Sequence, residues 1–272
     1  MENIVQISFA GCGGMYHYYL GIAKVIQDNF ELDNVVFGGV SGGCIPGLLL
    51  LLNANIDNVH YDLNHAIIKE SASSWTGSLW RYYNIMRKHI HEYLKPNDYN
   101  KVQNKLFISL TNLDSRKNEI ICSWDSNEDL INCIQCSAFI PMTFEAKLWF
   151  NHRNSRYIDG GITNNFVKMF PDKPCIYITP RKWRKYHYSW FWCYSDVYWA
   201  EELYKWGKED ATNNIDEFTA YLKIKDDPFL SKELLLSSIK DHENKNDCSE
   251  DFYNISDMNA SDVEMITYKS NS

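Results

Sequence analysis

Three short segments carry residue types that could do chemistry together: Gly11-Cys12-Gly13-Gly14, Gly39-Val40-Ser41-Gly42-Gly43 and Asp159-Gly160-Gly161. The middle one is a G-x-S-x-G sequence between a short apolar run, Val35 to Phe37, and a strongly apolar stretch, Cys44 to Leu52. That context predicts strand, tight turn and helix, the setting in which a serine becomes a nucleophile on a strained elbow. Gly39 and Gly43 let such a turn approach neighbouring chain without a Cβ clash. A serine hydroxyl is a weak nucleophile at neutral pH and needs a base within hydrogen-bond reach. The tetrahedral intermediate formed on it needs N–H donors for its oxyanion. Taken singly, the Gly-rich segment fits a plain turn and Asp159-Gly160-Gly161 a hairpin turn. Their order around the serine is what suggests a mechanism.

Forty residues precede Ser41, room for a strand Ile4 to Phe9, a helix Tyr16 to Gln27 and a second strand Val35 to Gly38 at ordinary element lengths. An α/β-hydrolase elbow follows more strands and takes one oxyanion donor from an earlier strand–helix loop. Here the Gly-rich turn after the first strand must supply the donors. The expected oxyanion hole is the backbone N–H groups of Cys12, Gly13 and Gly14, with Gly42 just after the serine. The positive end of a helix over Gly42 to Leu52 adds to the same field. Losing one such donor typically costs roughly 2.7–4 kcal/mol of barrier.

The elements that must position these residues follow from patterning. Leu106 to Asn112 and Glu119 to Trp124 read as strands around the polar turn Asp114 to Asn118. Asp129 to Phe139 reads as a helix stopping before Pro141. Arg156 to Ile158 is a short strand delivering Asp159, and Cys175 to Thr179 is the next strand. Strands alternating with helices imply an α/β fold, a three-layer sandwich with a mainly parallel central sheet. Sites in such sheets lie at the carboxyl ends of strands, where Ser41 and Asp159 both fall. Between Asn55 and Tyr99, helical stretches flank a Ser-rich break at Ser71 to Ser78. Trp80, Tyr83, Ile85, Met86, His89, Ile90, Tyr93 and Leu94 form a broad apolar face. It is expected to pack on the core, with a lid or acyl-chain groove wall as the functional alternative. His89 and His91 face different directions from a helix and make a poor metal pair.

The ordered trio resembles the patatin-like phospholipase family. Ser8-Phe9-Ala10-Gly11-Cys12-Gly13 is similar to the form found in its adipose triglyceride lipase and adiponutrin branch. The likeness continues at Cys136-Ser137-Ala138-Phe139-Ile140-Pro141 and at Tyr157 to Asn165. A weaker echo is Leu203-Tyr204-Lys205-Trp206-Gly207 with Asp210-Ala211. The resemblance implies a patatin-like fold and a lipid acyl hydrolase cleaving carboxylic esters of phospholipids or acylglycerols at a membrane or lipid-droplet surface. It also implies a Ser41–Asp159 dyad, with the carboxylate touching the hydroxyl and no histidine between them. An ordinary Asp, at pKa ~3.9, is a weak base at neutral pH, so burial that raises its pKa would help. Met15 and Tyr16 stand where many members carry a basic residue and a closing glycine. Tyr16 raises the alternative of a catalytically weak or inactive lipid-surface binding protein. The competing enzyme reading is a Ser–Asp–His triad using His187 or His242.

Composition bounds the rest. The chain has 272 residues with 45% hydrophobic and 15% aromatic content, enough for one core, assigned to residues 1–240. From Lys240 onward eight acids face three bases, and Asp241 to Ser272 reads as a disordered acidic tail. A formal net charge of -8 makes nucleic acid an unfavourable partner. No basic-then-apolar leader opens the chain, and its longest apolar run falls short of the ~20 residues a spanning helix needs. The expectation is therefore a cytoplasmic chain, peripheral on membranes or lipid droplets and not exported by a classical signal. The eight cysteines read as reduced and buried, Cys133-x-x-Cys136 included, and no metal or cofactor is expected. Trp183, Trp190 and Trp192 with Arg181, Lys182, Arg184 and Lys185 suit a membrane interface, where the acidic tail would compete for the basic patch.

Overall fold

The computed structural model describes residues 4–72, 82–142, 147–187 and 197–225. The chain divides into the units Met1–Lys225 and Asp226–Ser272. The expected acidic tail, His242, Trp80, Trp190 and Trp192 lie outside the described residues.

The first half follows the hydrophobic pattern closely. β1 (Val5–Phe9) leads through the Gly-rich turn into α1 (Tyr16–Asn29) and β2 (Val35–Gly39). A 3-10 turn, Ser41–Gly43, then opens α2 (Cys44–Leu51). α3 (Ile56–Ala72), α4 (Tyr82–Tyr93) and the short α5 (Asp98–Val102) precede β3 (Leu106–Asn112) and β4 (Lys117–Ile121). α6 (Asn127–Ser137) starts at Ser126, whose hydroxyl caps the Asp129 amide, a usual N-terminal stop for free N–H groups. β5 (Phe150–His152), β6 (Ser155–Asp159), β7 (Cys175–Ile178), α7 (Val197–Asn213) and α8 (Asp216–Thr219) complete the unit. β5, a three-residue strand without apolar alternation, had no sequence signal.

These strands form one seven-stranded mixed sheet surrounded by helices. Its centre is parallel, as expected: β1 lies between β2 and β7, and β2 pairs with β3. β4, β5 and β6 add antiparallel pairings on the far side of β3 from β1 and around it. β4 pairs along one edge of β3, from Ile108 opposite Ile121 to Asn112 opposite Lys117. The other edge is shared. β2 takes Leu106 to Ile108, ending with Gly39 beside Ile108, and β6 takes Leu110 to Asn112, ending with Asp159 beside Leu110. The C-terminal ends of β2 and β6 therefore meet head to head, roughly 7 Å apart at the rise of an extended chain.

Two polar side chains in the otherwise apolar β1 explain how the chain after Asp159 is held. Gln6 donates to the carbonyls of Phe170 and Lys173 and accepts from the amides of Met169 and Phe170. The Ser8 hydroxyl accepts from the Val167 amide. Buried polar groups persist in a core when their hydrogen bonds are satisfied, and here they bind the 167–173 segment across the sheet. Val167 presses on Gly38, where an added Cβ would lie 2.7 Å from its own.

α1 and α7 approach backbone to backbone through a glycine on each. A Cβ on Gly21 would fall 2.1 Å from the Tyr204 carbonyl oxygen, and one on Gly207 2.0 Å from that of Tyr18. Asp210 then receives the Tyr18 hydroxyl at 2.9 Å and two Arg184 nitrogens at 2.8 and 3.0 Å. The apolar face of α4 packs on α2 and α3 through Met86, His89 and Ile90, leaving a cavity of only ≈ 20 Å³ among them. That is space for about one water, so this part of the face packs closely, as expected. Gly21→Ala should lower stability by about 1–3 kcal/mol from overpacking, although alanine stabilises an unhindered helix by ~1 kcal/mol. A denaturant midpoint equal to or above wild type would contradict the close helix contact.

Candidate active site

The elbow is built as its sequence requires. Ser41 has φ 55°, a left-handed conformation that costs a non-glycine residue roughly 1–3 kcal/mol and tends to cluster at functional sites. The flanking glycines are steric necessities: a Cβ on Gly43 would lie 2.4 Å from the Ala10 carbonyl oxygen, and one on Gly39 2.6 Å from the Cys44 Cα. The Ser41 amide donates to the Ser137 hydroxyl at 2.9 Å, and that hydroxyl donates to the Ser109 carbonyl at 2.8 Å. The elbow is thus tied to β3 through α6. Ser41 itself is 7% exposed.

The Gly-rich turn lies against it. Gly13 has φ 53°, which glycine adopts without steric cost, and the Met15 amide closes the turn on the Cys12 carbonyl. A Cβ on Gly42 would meet the Cys12 sulfur at 2.8 Å, and one on Gly11 would touch the Ser41 Cβ at 3.6 Å. Among the described residues no acceptor takes the amides of Cys12, Gly13, Gly14 or Gly42. The Gly11 amide, by contrast, donates to the Asn165 side-chain oxygen at 2.8 Å. Tyr16 is the buried first residue of α1 with φ -61° and ψ -25°. Its backbone is ordinary right-handed helix, so the position makes no demand for glycine.

Asp159 ends β6 and is held from three sides. Its amide donates to the Phe139 carbonyl at 2.8 Å, and its carbonyl accepts the Thr111 hydroxyl at 2.7 Å. One carboxylate oxygen accepts the Gly161 amide at 2.8 Å. Ser41 is the other group near enough to the carboxylate to hold its pKa down. Gly160 fits because a Cβ there would sit 1.9 Å from the Ser109 carbonyl oxygen. Burial drives the Asp159 pKa above its ordinary value, opposed by Ser41 and by the Gly161 amide. The following turn is pinned by Asn118, which donates to the Ser109 hydroxyl, the Leu110 carbonyl and the Thr163 hydroxyl.

The structure therefore brings the three segments together. Asn165, Ser137, Thr111 and Asn118 are the contributors that sequence reasoning did not single out. Small polar residues at strand and helix ends carry no pattern of their own, and of these four only Ser137 and Asn165 fall within stretches of family likeness, Cys136 to Pro141 and Tyr157 to Asn165. Cys12 and Cys44 are buried thiols pushed well up by burial, and burial puts Cys133 at about 12. Such thiols stay protonated and act as packing groups. Among the described residues no cluster of three or more His, Cys, Asp or Glu side chains could hold a metal ion. His187 is an exposed residue of the segment after β7. Three residues of the basic-aromatic segment have partners within the fold. Lys182 pairs with Glu217 at 2.6 Å, the Trp183 indole donates to the same carboxylate, and Arg184 is committed to Asp210. These contacts hold the three side chains against α7 and α8, while Arg181 and Lys185 remain exposed. Among the described residues no helix is long and apolar enough to cross a membrane.

Fold and site define an α/β protein with a serine elbow facing a buried carboxylate. A family model of patatin-like phospholipases matches residues 7–169, more than half of the chain, and the chain belongs to that family. It is 26% identical over 185 residues to 1-acylglycerol-3-phosphate O-acyltransferase Pnpla3 of Mus musculus, covering 66% of this chain and 44% of that one. It is 28% identical over 166 residues to human patatin-like phospholipase domain-containing protein 4, covering 59% of this chain and 65% of that one. Human omega-hydroxyceramide transacylase is 28% identical over 180 residues, covering 64% of this chain and 32% of that one. The chain spans about a third to two thirds of the length of these curated relatives.

The raised Asp159 pKa fixes the sign of a stability effect. With the folded value above the ordinary 3.8, the folded state holds its proton more tightly than the unfolded chain. Ionisation of Asp159 therefore removes stability as pH rises from the unfolded value through the folded one. Asp159→Asn keeps an acceptor for the Gly161 amide and avoids the buried charge, so it should raise Tm by a few degrees at pH 8 and by less at pH 4. An Asn variant less stable than wild type at pH 8 would contradict this account.

Proposed function

We propose that this chain is a serine lipid acyl hydrolase cleaving carboxylic ester bonds of phospholipids or acylglycerols. The observation that supports this reading most directly is the left-handed Ser41 elbow close enough to the buried Asp159 carboxylate to hold its pKa down, in a chain of the patatin-like phospholipase family. In the proposed reaction Ser41 Oγ attacks the acyl carbonyl carbon while its proton passes to Asp159. The carbonyl oxygen becomes an oxyanion accepting from the amides of Cys12, Gly13, Gly14 and Gly42. Collapse breaks the ester bond, and the departing alkoxide takes the proton from Asp159. Water then attacks the acyl-serine, giving its proton to Asp159, and a second collapse regenerates Ser41 and releases the fatty acid.

Burial makes the carboxylate a stronger base than an exposed Asp, which eases a proton transfer that is otherwise far uphill. Stabilisation of the oxyanion supplies the larger share, as fixed donors in a buried site usually do. The amides named here are fixed by the turn itself, so they need no reorganisation during attack. The acyl-serine could equally be taken by a lipid alcohol. The likeness to the mouse acyltransferase and the human transacylase supports acyl transfer as a second outcome at the same site. A lipid-surface binding protein without turnover is the other reading. The right-handed backbone at Tyr16 supports the hydrolase reading in that the position needs no glycine.

Ser41→Ala should abolish both fatty-acid release and labelling by a fluorophosphonate probe while leaving the circular dichroism spectrum unchanged. Asp159→Asn should lower the rate at least about 100-fold, the usual scale of a general base, and His187→Gln should retain most of it. The reverse pattern for the last two would point to a histidine base. Because Asp159 must be ionised to accept the proton, activity should fall on acidification at a pH above that of an ordinary Asp. A rate flat down to pH 4 would count against Asp159 as the base.

A further inference from the structure

Five Ile, Leu, Met or Phe side chains among the described residues are exposed: Ile120, Met142, Leu148, Ile162 and Phe166, at 41–62%. They are far apart in sequence, yet each can be traced to the surroundings of Asp159. Ile162 and Phe166 flank the turn that follows it. Ile120 lies opposite Ser109 in the β3–β4 ladder, so the two side chains share a face, and the Ser109 hydroxyl on that face donates to the Asn164 carbonyl. Leu148 precedes Phe150 by two residues, and Phe150 is opposite Tyr157. Leu148 thus sits in the bend before β5, two residues from the partner of Tyr157, which precedes Asp159 by two on β6. The Met142 amide donates to the Lys147 carbonyl, which seats Met142 beside Leu148.

Monomeric soluble proteins scatter exposed apolar residues singly, and a contiguous group marks an interaction surface. The charge around this group is also unusual. From Gly160 to Pro171 the only charged side chain is Lys168, in a chain with eight more acids than bases. We propose that these five side chains form a docking surface that inserts into the acyl-chain layer just beneath the headgroups of a phospholipid surface, with Lys168 at phosphate depth. The identity of the partner rests on the acyl-hydrolase reading above. An ester bond of a phospholipid lies at that boundary, and side chains inserted around Asp159 would set the serine–aspartate pair at the depth of the bond. Lys182, Trp183 and Arg184, held by Glu217 and Asp210, take no part in this surface.

The test is co-sedimentation of the full chain with phosphatidylcholine vesicles. Wild type and Ser41→Ala should sediment equally, and binding should persist from low to high salt, since apolar insertion is not screened as ion pairing is. The double variant Leu148→Asp with Ile162→Asp should partition at least about tenfold less, given the transfer free energies of such side chains. Tyr61→Asp with Tyr221→Asp, exposed elsewhere on the surface, should bind as wild type. If the charged pair fails to fold, Leu148→Ser with Ile162→Ser should still weaken binding severalfold. Equal sedimentation of the folded Leu148/Ile162 variants and wild type would overturn the proposal. So would wild type that stays in the supernatant, or light scattering showing a dimer that these substitutions split. Fluorophosphonate labelling of wild type is read separately. Sedimentation without labelling would sink the hydrolase reading alone, and labelling without sedimentation would sink the docking surface alone.

Discussion

The arrangement depends on one strand edge serving two partners. β2 and β6 run in opposite directions along the same edge of β3 and stop two residues apart, at Ile108 and Leu110. Each ends in a turn bearing one of the paired side chains. Neither could extend further without colliding with the other, so the ladder brings the turns that carry Ser41 and Asp159 together. A loop-borne pair would need its own restraints to reach the same precision. Here the restraint comes from backbone hydrogen bonds buried in a sheet, among the least adjustable features of a fold.

Short polar side chains then set the orientation that the ladder leaves free. Ser109, the residue at the gap between the two strand ends, takes the Ser137 hydroxyl on its carbonyl and contacts Asn118 and Asn164 through its own hydroxyl. Ser137 holds the Ser41 amide, Thr111 the Asp159 carbonyl and Asn165 the Gly11 amide. Each of these bonds contributes only about 0.5–1.5 kcal/mol. Their common effect is to hold the Ser41 amide, the Asp159 carbonyl and the Gly11 amide in place, leaving the amides proposed for the oxyanion to the substrate. Preorganised donors of that kind act at the moment charge develops. The strained Ser41 backbone and the buried Asp159 charge both oppose stability, and the surrounding core must offset them.

Support for the Gly-rich turn comes from behind, through α1. That helix is clamped to α7 by Gly21 and Gly207, and to the segment after β7 by Tyr18, Asp210 and Arg184. The Arg184 guanidinium, which in sequence stands among lysines and tryptophans, is drawn to the largely buried Asp210. A buried carboxylate needs a cation more than a surface needs another arginine. The same logic places Lys182 and Trp183 on Glu217. Apolar exposure instead collects around the turn after Asp159, where the chain has few charges to satisfy.

The sequence by itself determined the local structure and much of the candidate site. Strands β1, β2, β3 and β7 and helices α1 and α6 follow from apolar periodicity and from stop signals such as Pro141. The glycines around Ser41 and Asp159 mark turns because side chains there would collide with backbone. Tertiary structure alone decided that β6 runs antiparallel along the edge that β2 vacates, since strand direction is set by non-local pairing and leaves no trace in a short segment such as Arg156 to Ile158. It likewise decided which polar residues near the site became its restraints and which basic residues were spent inside the fold. Hydrogen bonds and ion pairs between residues such as Gly11 and Asn165, or Arg184 and Asp210, exist only once packing has brought distant segments together. A residue type states what a side chain can bond, whereas the fold selects the partner within reach.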